Sequence, residues 1–307
     1  MSGHWRQQPE GGGRFAFWLI RVIALRGGRR LGRLCLYPVT LYYMLRRGEE
    51  RRASRRYLRR VLGKPPTWPQ VFRNLHAYAA TSLDRIFLLA HGERGFDIEV
   101  EGLAALEAAI DQGRGVLLVG SHQGSFEALR ALSARRPDVP LRVLLDKQKT
   151  PTMTAMLEAL APDVGAGVID TARGGAAVTL AVGEACRAGA MVALLADRAR
   201  EHEALHMADF LGRPAPFPAG PWLLAAALRV PVLLCFGLYL GGNRYRLVFE
   251  PFAAWIELPR RARGAALDAL VARYAARLEH YARAYPYNWF NFHDFWRVPD
   301  EGGGAPG

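Results

Sequence analysis

The sequence predicts an α/β protein, with a mixed, mostly parallel sheet flanked by helices and a helical N-terminal segment before it. From about residue 97 onward, short apolar runs rich in β-branched residues alternate with Ala/Leu-rich stretches of helical length. Such alternation is typical of parallel sheets whose strands are connected by helices. Residues 14–90, in contrast, read as helical throughout, with glycine breaks at 27–28, 48 and 63.

The predicted elements follow from apolar runs and from the turn residues between them. Strands are predicted at 96–100, 115–120, 141–145, 167–170, 190–196, 231–239 and 244–250. Helices are predicted at 103–109, 125–134, 151–160, 175–188, 222–228 and 262–284. A Gly-Gly turn at 241–242 predicts an antiparallel hairpin at the edge of the sheet. The proline-rich segment before Pro221 is predicted to be a loop.

These elements predict four segments along the chain of 307 residues. Residues 1–13 and 299–307 are Gly-containing, flexible ends. Residues 14–92 form an Arg-rich helical segment that packs on the rest of the protein. Residues 93–298 form the α/β domain.

Positive charge is concentrated at the N-terminus. The whole chain has a formal net charge of +13, and residues 1–60 contain 15 arginines, no lysine and three glutamates. The remainder is therefore nearly neutral, with a net charge of +1. A nucleic-acid-binding domain would place basic groups on its folded reading surface, so this distribution favours a membrane surface over nucleic acid.

The arginines of the N-terminal segment are spaced along one helix face. Arg26, Arg29, Arg30 and Arg33 follow an i, i+3, i+4, i+7 pattern among aromatic residues. This pattern suits a helix that lies in a bilayer interface with its arginines at anionic headgroups. A cationic helix packed on the domain, or a nucleic-acid patch, are the alternatives. The longest charge-free stretch of this N-terminal segment, residues 34–45, is shorter than the roughly 20 residues that a spanning helix needs.

The strongest chemical signal follows the strand predicted at 115–120. The segment Ser121-His122-Gln123-Gly124-Ser125-Phe126-Glu127 comes directly after it, where α/β sheets place their sites. His122 is the candidate general base, and Glu127 is the candidate residue that orients it. At about 100° per residue the two side chains do not align on a helix, so His122 must lie in the turn before it. On spacing alone, a loop histidine and a helix-start carboxylate remain an alternative.

At these residues the sequence resembles the lysophospholipid acyltransferase superfamily, whose signature is H-x4-D/E after a strand. Within that superfamily it is most similar to the late acyltransferases of bacterial lipid A synthesis, over nearly the whole chain. The closing block Pro-Tyr-Asn-Trp-Phe-Asn-Phe-His-Asp-Phe-Trp at 286–296 is similar to a subgroup that accompanies aryl-polyene or pigment lipid synthesis. Other matching blocks, in chain order, are Leu83-Asp84-Arg85, Ala196-Asp197-Arg198, Phe210-Leu211-Gly212, Phe217–Pro221 and Gly237-Leu238-Tyr239.

The resemblance implies a glycerol-phosphate acyltransferase-like fold and a thioester-dependent acyl transfer without a bound cofactor or metal. A fatty or polyene chain would move from acyl carrier protein, or from coenzyme A, to a hydroxyl or amine of a lipid or glycolipid acceptor. His122 would deprotonate the acceptor while Glu127 holds the other ring nitrogen. A backbone N–H of the turn 123–126 would stabilise the oxyanion. The implied location is the cytoplasmic face of the bacterial inner membrane, with peripheral or monotopic attachment and no nucleic-acid partner.

The resemblance also implies which residues contact substrate. Pro218-Ala219-Gly220-Pro221 lacks the acid and the arginine of the P-E-G-T-R block, which argues against a glycerol-phosphate acceptor. Arg198 and Arg213 are the nearest cations that could hold a phosphate, with ordinary surface arginines as the alternative. The full implied set is Gln123, Gly124, Ser125, Asp197, Arg198, Arg213, Gly220 and Asn288.

Two competing signals remain. His202-Glu203-Ala204-Leu205-His206 matches H-E-x-x-H, the pattern of zinc hydrolases, which requires a continuous helix and a third metal ligand. The next Glu is Glu250, far along the chain. In the closing block, Asn288, Asn291 and Asp294 recur at a spacing that can share one helical face, and the aromatic residues around them could form a stacking platform for nucleic acid.

Overall fold

Three helices precede the sheet. A computed structural model describes residues 14–129, 136–199 and 203–296, with side chains from residue 28 onward. The helices are α1 (Arg14–Arg46), α2 (Gly48–Leu62) and α3 (Trp68–His91). Gly28, at φ 73°, interrupts α1, and both inter-helix breaks fall where the glycines predicted them. Across the described residues, no helix is both long enough and apolar enough to cross a bilayer. The predicted flexible ends lie outside the described residues.

The rest of the described chain alternates strands and helices, as predicted. The strands are β1 (Asp97–Glu101), β2 (Val116–Gly120), β3 (Leu141–Leu145), β4 (Val168–Asp170), β5 (Met191–Leu195), β6 (Leu205–Phe210), β7 (Arg213–Pro218), β8 (Val232–Gly241) and β9 (Arg244–Ala253). The helices are α4 (Leu103–Ile110), α5 (Pro151–Leu160), α6 (Pro162–Ala166), α7 (Gly175–Arg187), α8 (Gly220–Leu228) and α9 (Arg263–Ala284).

The main sheet has seven strands in the order β1-β9-β8-β2-β5-β3-β4. Only β8 and β9 pair antiparallel, and every other neighbouring pair is parallel. The predicted mixed, mostly parallel α/β sheet is therefore confirmed. All five strands from β8 to β4 point their carboxyl ends toward the same edge, where the site described below is built.

The central strand β2 is buried on both faces. Leu117 and Val119 pack in one core cluster with α7, α8 and α9, whereas Val116 and Leu118 pack in a second cluster with α4. A strand covered on both faces has no polar side and reads as an unbroken apolar run, which is why the sequence identified this strand clearly.

The hairpin β8–β9 forms as predicted, but its predicted place at the edge of the sheet is wrong. Strand β1 pairs parallel to the outer side of β9, with Asp97 opposite Arg244 and Glu101 opposite Val248. The local turn determines a hairpin, whereas the neighbour on its far side is a long-range choice that the turn does not encode.

The predicted proline-rich loop is instead the antiparallel hairpin β6–β7. Pro214, Pro216 and Pro218 pair across from β6 at every second position of β7. Alternate residues of an edge strand point their N–H away from the partner strand, so a proline there loses no ladder hydrogen bond. The residues between them, Ala215 and Phe217, are fully buried. The spacing of the prolines, at every second residue, is a pattern in the sequence that could have indicated a strand.

Two helical predictions differ from the structure. The helix predicted at 125–134 begins as a short 3-10 helix, Phe126–Leu129, and residues 130–135 lie outside the described residues. The closing block is extended and irregular up to Trp296 rather than helical, so Asn288, Asn291 and Asp294 share no helical face.

Helix α1 is held to the body by a buried carboxylate. Arg29 donates two hydrogen bonds to Asp84 of α3, at 2.7 and 3.0 Å, and Arg33 lies 3.6 Å from the same carboxylate. Tyr245 of β9 donates a third hydrogen bond, at 2.8 Å, and Asp84 is fully buried. The predicted headgroup role of Arg29 and Arg33 is therefore wrong, because both side chains face inward. Arg30 is exposed, and the side chain of Arg26 is not described.

Candidate active site

Two neighbouring parallel strands bring a histidine and an aspartate together. Strand β2 pairs with β5 so that Gly120 lies opposite Leu195. His122 and Asp197 each stand two residues beyond those positions, at the carboxyl edge of the sheet. The Nδ1 atom of His122 lies 2.8 Å from Oδ1 of Asp197, and the backbone N–H of His122 donates to Oδ2 at 3.1 Å. The pairing register thus creates a His–Asp pair.

Asp197 is held as a carboxylate although it is fully buried. Burial alone would raise its pKa, but His122, Arg198 and the indole N–H of Trp289 together hold the pKa well below its usual range. The Nε1 atom of Trp289 donates to Oδ2 at 3.0 Å. Because an ionised carboxylate only accepts hydrogen bonds, Nδ1 of His122 carries the proton, which leaves Nε2 with its lone pair.

His122 is neutral near pH 7. Burial and the positive charges of Arg198 and Arg85 lower the pKa of His122 by more than Asp197 raises it. Its side chain is 33% exposed, and Nε2 has no hydrogen-bond partner among the described residues. A neutral imidazole with a fixed tautomer and an accessible Nε2 is suited to accept a proton from a bound substrate.

Glu127 does not supply the hydrogen bond predicted for Nδ1 of His122, because Asp197 supplies it. The carboxylate of Glu127 lies 2.6 Å from Nε of Arg85 on α3 and accepts a hydrogen bond from Ser125 Oγ at 3.0 Å. These contacts direct the carboxylate of Glu127 to Arg85 of α3 and to Ser125 of its own turn instead of to His122. Sequence reasoning placed Asp197 at the site, but as a substrate contact, because it lies 75 residues from His122.

The turn after His122 is hydrogen-bonded to β8 and to the closing block. The N–H of Gly124 donates to Asn288 O at 2.8 Å, and the N–H of Ser125 donates to Gly237 O at 2.7 Å. These two amides are therefore not free for an oxyanion, contrary to that part of the prediction. Gly124 has φ 70°, and a Cβ there would lie 1.8 Å from Gly237 O, so only glycine fits this contact.

The closing block forms one wall of the site. The N–H of Phe290 donates to His122 O at 2.9 Å, and Gln123 pairs with Trp289 in an isolated antiparallel bridge. The predicted substrate role of Asn288 conflicts with its contacts, since its side-chain amide bonds the N–H and the carbonyl of Tyr239 at 2.6 and 3.1 Å. The block therefore locks the His122 turn, through backbone and amide contacts, against β8.

Arg198 and His293 are two further ionisable groups next to the pair. Arg198 donates from Nη2 to Phe290 O at 2.5 Å, and its Nε is buried without a partner among the described residues. Burial, followed by the charges of Arg198 and His122, lowers the pKa of His293 to about 3, so this imidazole is neutral. His293 was missed from sequence. Its position inside the closing block, between Phe292 and Asp294, was the only sequence feature that pointed to it.

Gln123 is the one implied substrate contact whose side chain is buried beside His122 without a hydrogen bond. It is 1% exposed, and neither its Nε2 nor its Oε1 has a partner among the described residues. Asn291 of the closing block is 3% exposed with the same two atoms unpartnered. Buried amides without partners are rare in native proteins. The side chains of Gln123 and Asn291 therefore leave hydrogen-bonding groups beside His122 that no described residue satisfies.

Two residues of the implied set are not brought to His122 by any described contact. Arg213 is exposed at the start of β7, and its charge adds to the effect of burial in lowering the pKa of Arg60 on α2. Gly220 begins α8 and donates its N–H to the carboxylate of Glu203 at 3.0 Å. Both belong to the packing around the β6–β7 hairpin.

The H-E-x-x-H segment lacks the helix that a zinc hydrolase needs. Its described part runs from Glu203 into strand β6, where His206 lies 2.5 Å from Asp268. His202 lies outside the described residues. Because a strand does not put residues i and i+4 at the spacing of a helical turn, the motif is a coincidence of sequence.

A neutral histidine that is hydrogen-bonded to a buried carboxylate lies at the carboxyl edge of the mixed sheet, and such a pair can take a proton from a nucleophile. The sequence profile of the bacterial lipid A biosynthesis acyltransferase family matches residues 42–298. The chain belongs to that family, and it is accordingly an acyltransferase of lipid biosynthesis. No curated protein matches the chain closely enough to count as a relative.

Proposed function

We propose that this enzyme transfers an acyl chain from a carrier thioester to a hydroxyl or amine of a lipid acceptor, with His122 as general base and Asp197 as the residue that orients it. The observation that carries the proposal is the hydrogen bond between Nδ1 of His122 and Asp197, which leaves Nε2 as the basic atom. The lowered pKa of His122 supports the same role, because the base must be unprotonated before it acts.

In this mechanism Nε2 takes the proton of the acceptor as its oxygen or nitrogen attacks the thioester carbonyl carbon. The resulting imidazolium is stabilised by Asp197, as in a Ser-His-Asp site with the acceptor in place of the serine. The tetrahedral intermediate then collapses, its carbon–sulfur bond breaks, and the imidazolium returns the proton to the leaving thiolate. The products are an ester or amide and a free carrier thiol, and no acyl-enzyme forms.

Arg198 is the proposed stabiliser of the oxyanion. The amides of Gly124 and Ser125 are occupied by the carbonyls of Asn288 and Gly237, so neither of them is available to an oxyanion. Arg198 lies close enough to lower the pKa of His122, and its Nε is unpartnered among the described residues. Removing a single oxyanion donor typically costs about 100- to 1,000-fold in kcat.

The proposed donor is acyl carrier protein, with coenzyme A as the alternative thioester, and no further cofactor takes part. The family's description supports a lipid A precursor or a related glycolipid as acceptor. The likeness of residues 286–296 to a subgroup associated with aryl polyenes supports a polyene chain as the acyl group. Comparing the lipids of a deletion strain with those of its parent, and asking which lipid lacks an acyl chain, tests both assignments.

The proposed location is the cytoplasmic face of the inner membrane, reached through the outer face of α1. Leu34, Leu41 and Leu45 are spaced by about two turns and then one turn, so they share that face, and they are 66%, 47% and 65% exposed. Trp68 is also exposed, and the guanidinium groups of Arg51 and Arg55 lie over its ring. Apolar side chains rimmed by aromatic and cationic groups suit an anionic bilayer interface, where each cation contributes about 1 kcal/mol.

Replacing His122 tests the chemistry. His122→Ala removes the base, so acyl transfer falls to background while the circular dichroism spectrum and the melting temperature stay near those of the wild type. His122→Gln keeps a polar side chain of similar size and is expected to be equally inactive. Turnover by either folded variant at more than about 1% of the wild-type rate contradicts general-base catalysis.

Substitution on the outer face of α1 tests the docking. Leu34→Asp/Leu41→Asp keeps Arg29 bound to Asp84, unlike deletion of the helix, and is expected to abolish flotation with vesicles rich in anionic phospholipid. Leu180→Asp is the matched control, since Leu180 is 61% exposed on α7, away from α1. Equal flotation of both variants would place the docking surface elsewhere.

A further inference from the structure

A small cavity lies at the carboxyl edge of the sheet, apart from His122. Its volume is about 160 Å³, and it opens between the end of β4, the start of α7 and the loop after β3. Lys147 and Arg173 contribute the cations, whereas Val178, Ala177 and Ala181 of α7 form an apolar wall. The cavity is well below the roughly 300–1,000 Å³ of sites that enclose a whole drug-sized ligand, so it suits a single small group and the chain attached to it.

The cavity and His122 lie at the same edge of the sheet. Strands β2, β5, β3 and β4 are consecutive and parallel, so the residues after each of them emerge on one side. His122 follows β2, while Arg173 follows β4, three strand spacings away. At about 4.8 Å per spacing, the two sites are roughly 14 Å apart along the edge.

The polar groups of the cavity suit an anion. Arg173 is exposed at the mouth, and helix α7 begins two residues later at Gly175, where first-turn N–H groups have no partner within the helix. Lys147 reaches no closer than 4.0 Å to Glu158. Asp170 also lines the cavity. Its Oδ1 accepts hydrogen bonds from the N–H groups of Lys147 and Ala172, and so it holds together the segments that follow β3 and β4.

We propose that this cavity binds the phosphate ester of the acyl donor's carrier arm. The inference rests on the proposed function, since it assumes a donor whose thioester reaches His122. A phosphopantetheine arm carries its phosphate at one end and its thioester at the other, and when extended it is longer than the separation of the two sites. Lys147 and Arg173 hold the phosphate, and the apolar wall of α7 covers the first carbons of the arm.

The test compares acyl donors that do and do not carry the phosphate, using the full chain. Lys147→Ala/Arg173→Ala is expected to raise KM for an acyl-phosphopantetheine donor by about tenfold or more, because two charge-assisted hydrogen bonds are lost. KM for the acyl thioester of N-acetylcysteamine, which has no phosphate, is expected to stay within about twofold of the wild-type value, because the lost hydrogen bonds act only on a phosphate. Lys149→Ala, two residues from Lys147 and exposed, is the matched control and leaves both values unchanged.

Each alternative result overturns the proposal. An equal rise of KM for both donors means that the double variant perturbs the site generally. A rise confined to the KM of a phosphorylated acceptor assigns the cavity to the acceptor instead of the donor.

A binding measurement keeps the inference separate from the proposed function. By calorimetry, 4′-phosphopantetheine is expected to bind the wild type more tightly than pantetheine does, and this difference is expected to disappear in Lys147→Ala/Arg173→Ala but not in Lys149→Ala. If the wild type binds both equally, the phosphate site is wrong even when His122→Ala behaves as proposed. If the difference is found but His122→Ala stays active, the phosphate site stands and the proposed base fails.

Discussion

Among the described residues, two aspartates are fully buried, and they differ in the groups that they bind. Asp84 binds Arg29, Arg33 and the hydroxyl of Tyr245. Asp197 binds His122 and the indole of Trp289, with Arg198 close by. The first carboxylate faces two guanidinium groups and a phenol, none of which offers a free basic nitrogen, so it anchors α1. The second faces an imidazole that can gain and lose a proton.

A buried carboxylate can take part in chemistry only when the group that it orients is titratable and keeps one atom open to a substrate. Nε2 of His122 is accessible and unpartnered among the described residues, whereas the guanidinium of Arg29 is used by Asp84 and by the carbonyl of Gly242. A fixed ion pair can only hold a helix in place, whereas a histidine with one open nitrogen has the chemistry needed to transfer a proton. The two aspartates should therefore respond to the same substitution in different ways.

The largest effect is expected from Asp197→Asn. The amide oxygen is expected to take the two N–H donors that now bind Oδ2, which turns the NH₂ group toward Nδ1 of His122 and moves the ring proton to Nε2. The base is thereby lost, and kcat is expected to fall about 10³- to 10⁴-fold, as for the wrong tautomer in a catalytic triad. Steady-state kinetics on folded protein measures this fall.

Glu127→Gln is the matched control for that substitution, because Glu127 is the carboxylate that the sequence singled out. It pairs with Arg85 and Ser125, so kcat is expected to fall by less than about tenfold, the size of one neutral-for-charged hydrogen-bond change. If Glu127→Gln is the more damaging of the two, then Glu127 and not Asp197 orients His122 during turnover.

A smaller effect, and one on stability alone, is expected from Asp84→Asn. Two partly buried arginines lose their counter-ion, so the free energy of unfolding is expected to fall by about 3 kcal/mol, the lower end for a broken buried pair. Denaturant unfolding measures this change, and kcat per folded molecule should stay within about threefold. Glu50→Gln, which breaks the exposed pair with Arg47, should cost only about 0.5 kcal/mol. A loss of kcat at unchanged stability would place Asp84 in the site.

The smallest effect concerns pH. The pKa of His122 lies below its ordinary value because of burial and the charge of Arg198. Activity should therefore be constant at neutral pH and should fall as pH decreases through that lowered pKa. Arg198→Gln removes this positive charge. Besides the roughly 100- to 1,000-fold loss of kcat expected from losing the oxyanion donor, the pKa of His122 therefore rises and the acid limb of kcat/KM moves to higher pH. A limb that stays in place, or moves to lower pH, means that another group titrates.

Much of the architecture was predictable from local patterns. The apolar run of β2, the glycine breaks between α1, α2 and α3, and the Gly-Gly turn of β8–β9 each signal their element within a few residues. The two errors in strand placement share one cause. The prolines of β7 and the neighbour of β9 depend on which side of a strand is paired, and that is decided by residues far along the chain.

The sequence by itself determined the fold class, the position of His122 at the end of a buried strand, and the family, because each of these depends on short-range pattern or on blocks in a characteristic order. Only the tertiary structure decided which carboxylate orients His122, since Glu127 is five residues away and Asp197 is reached through the pairing of β2 with β5. It also decided that Arg29 and Arg33 face Asp84 and not a membrane. A helical wheel shows which residues share a face, but only packing shows what that face meets.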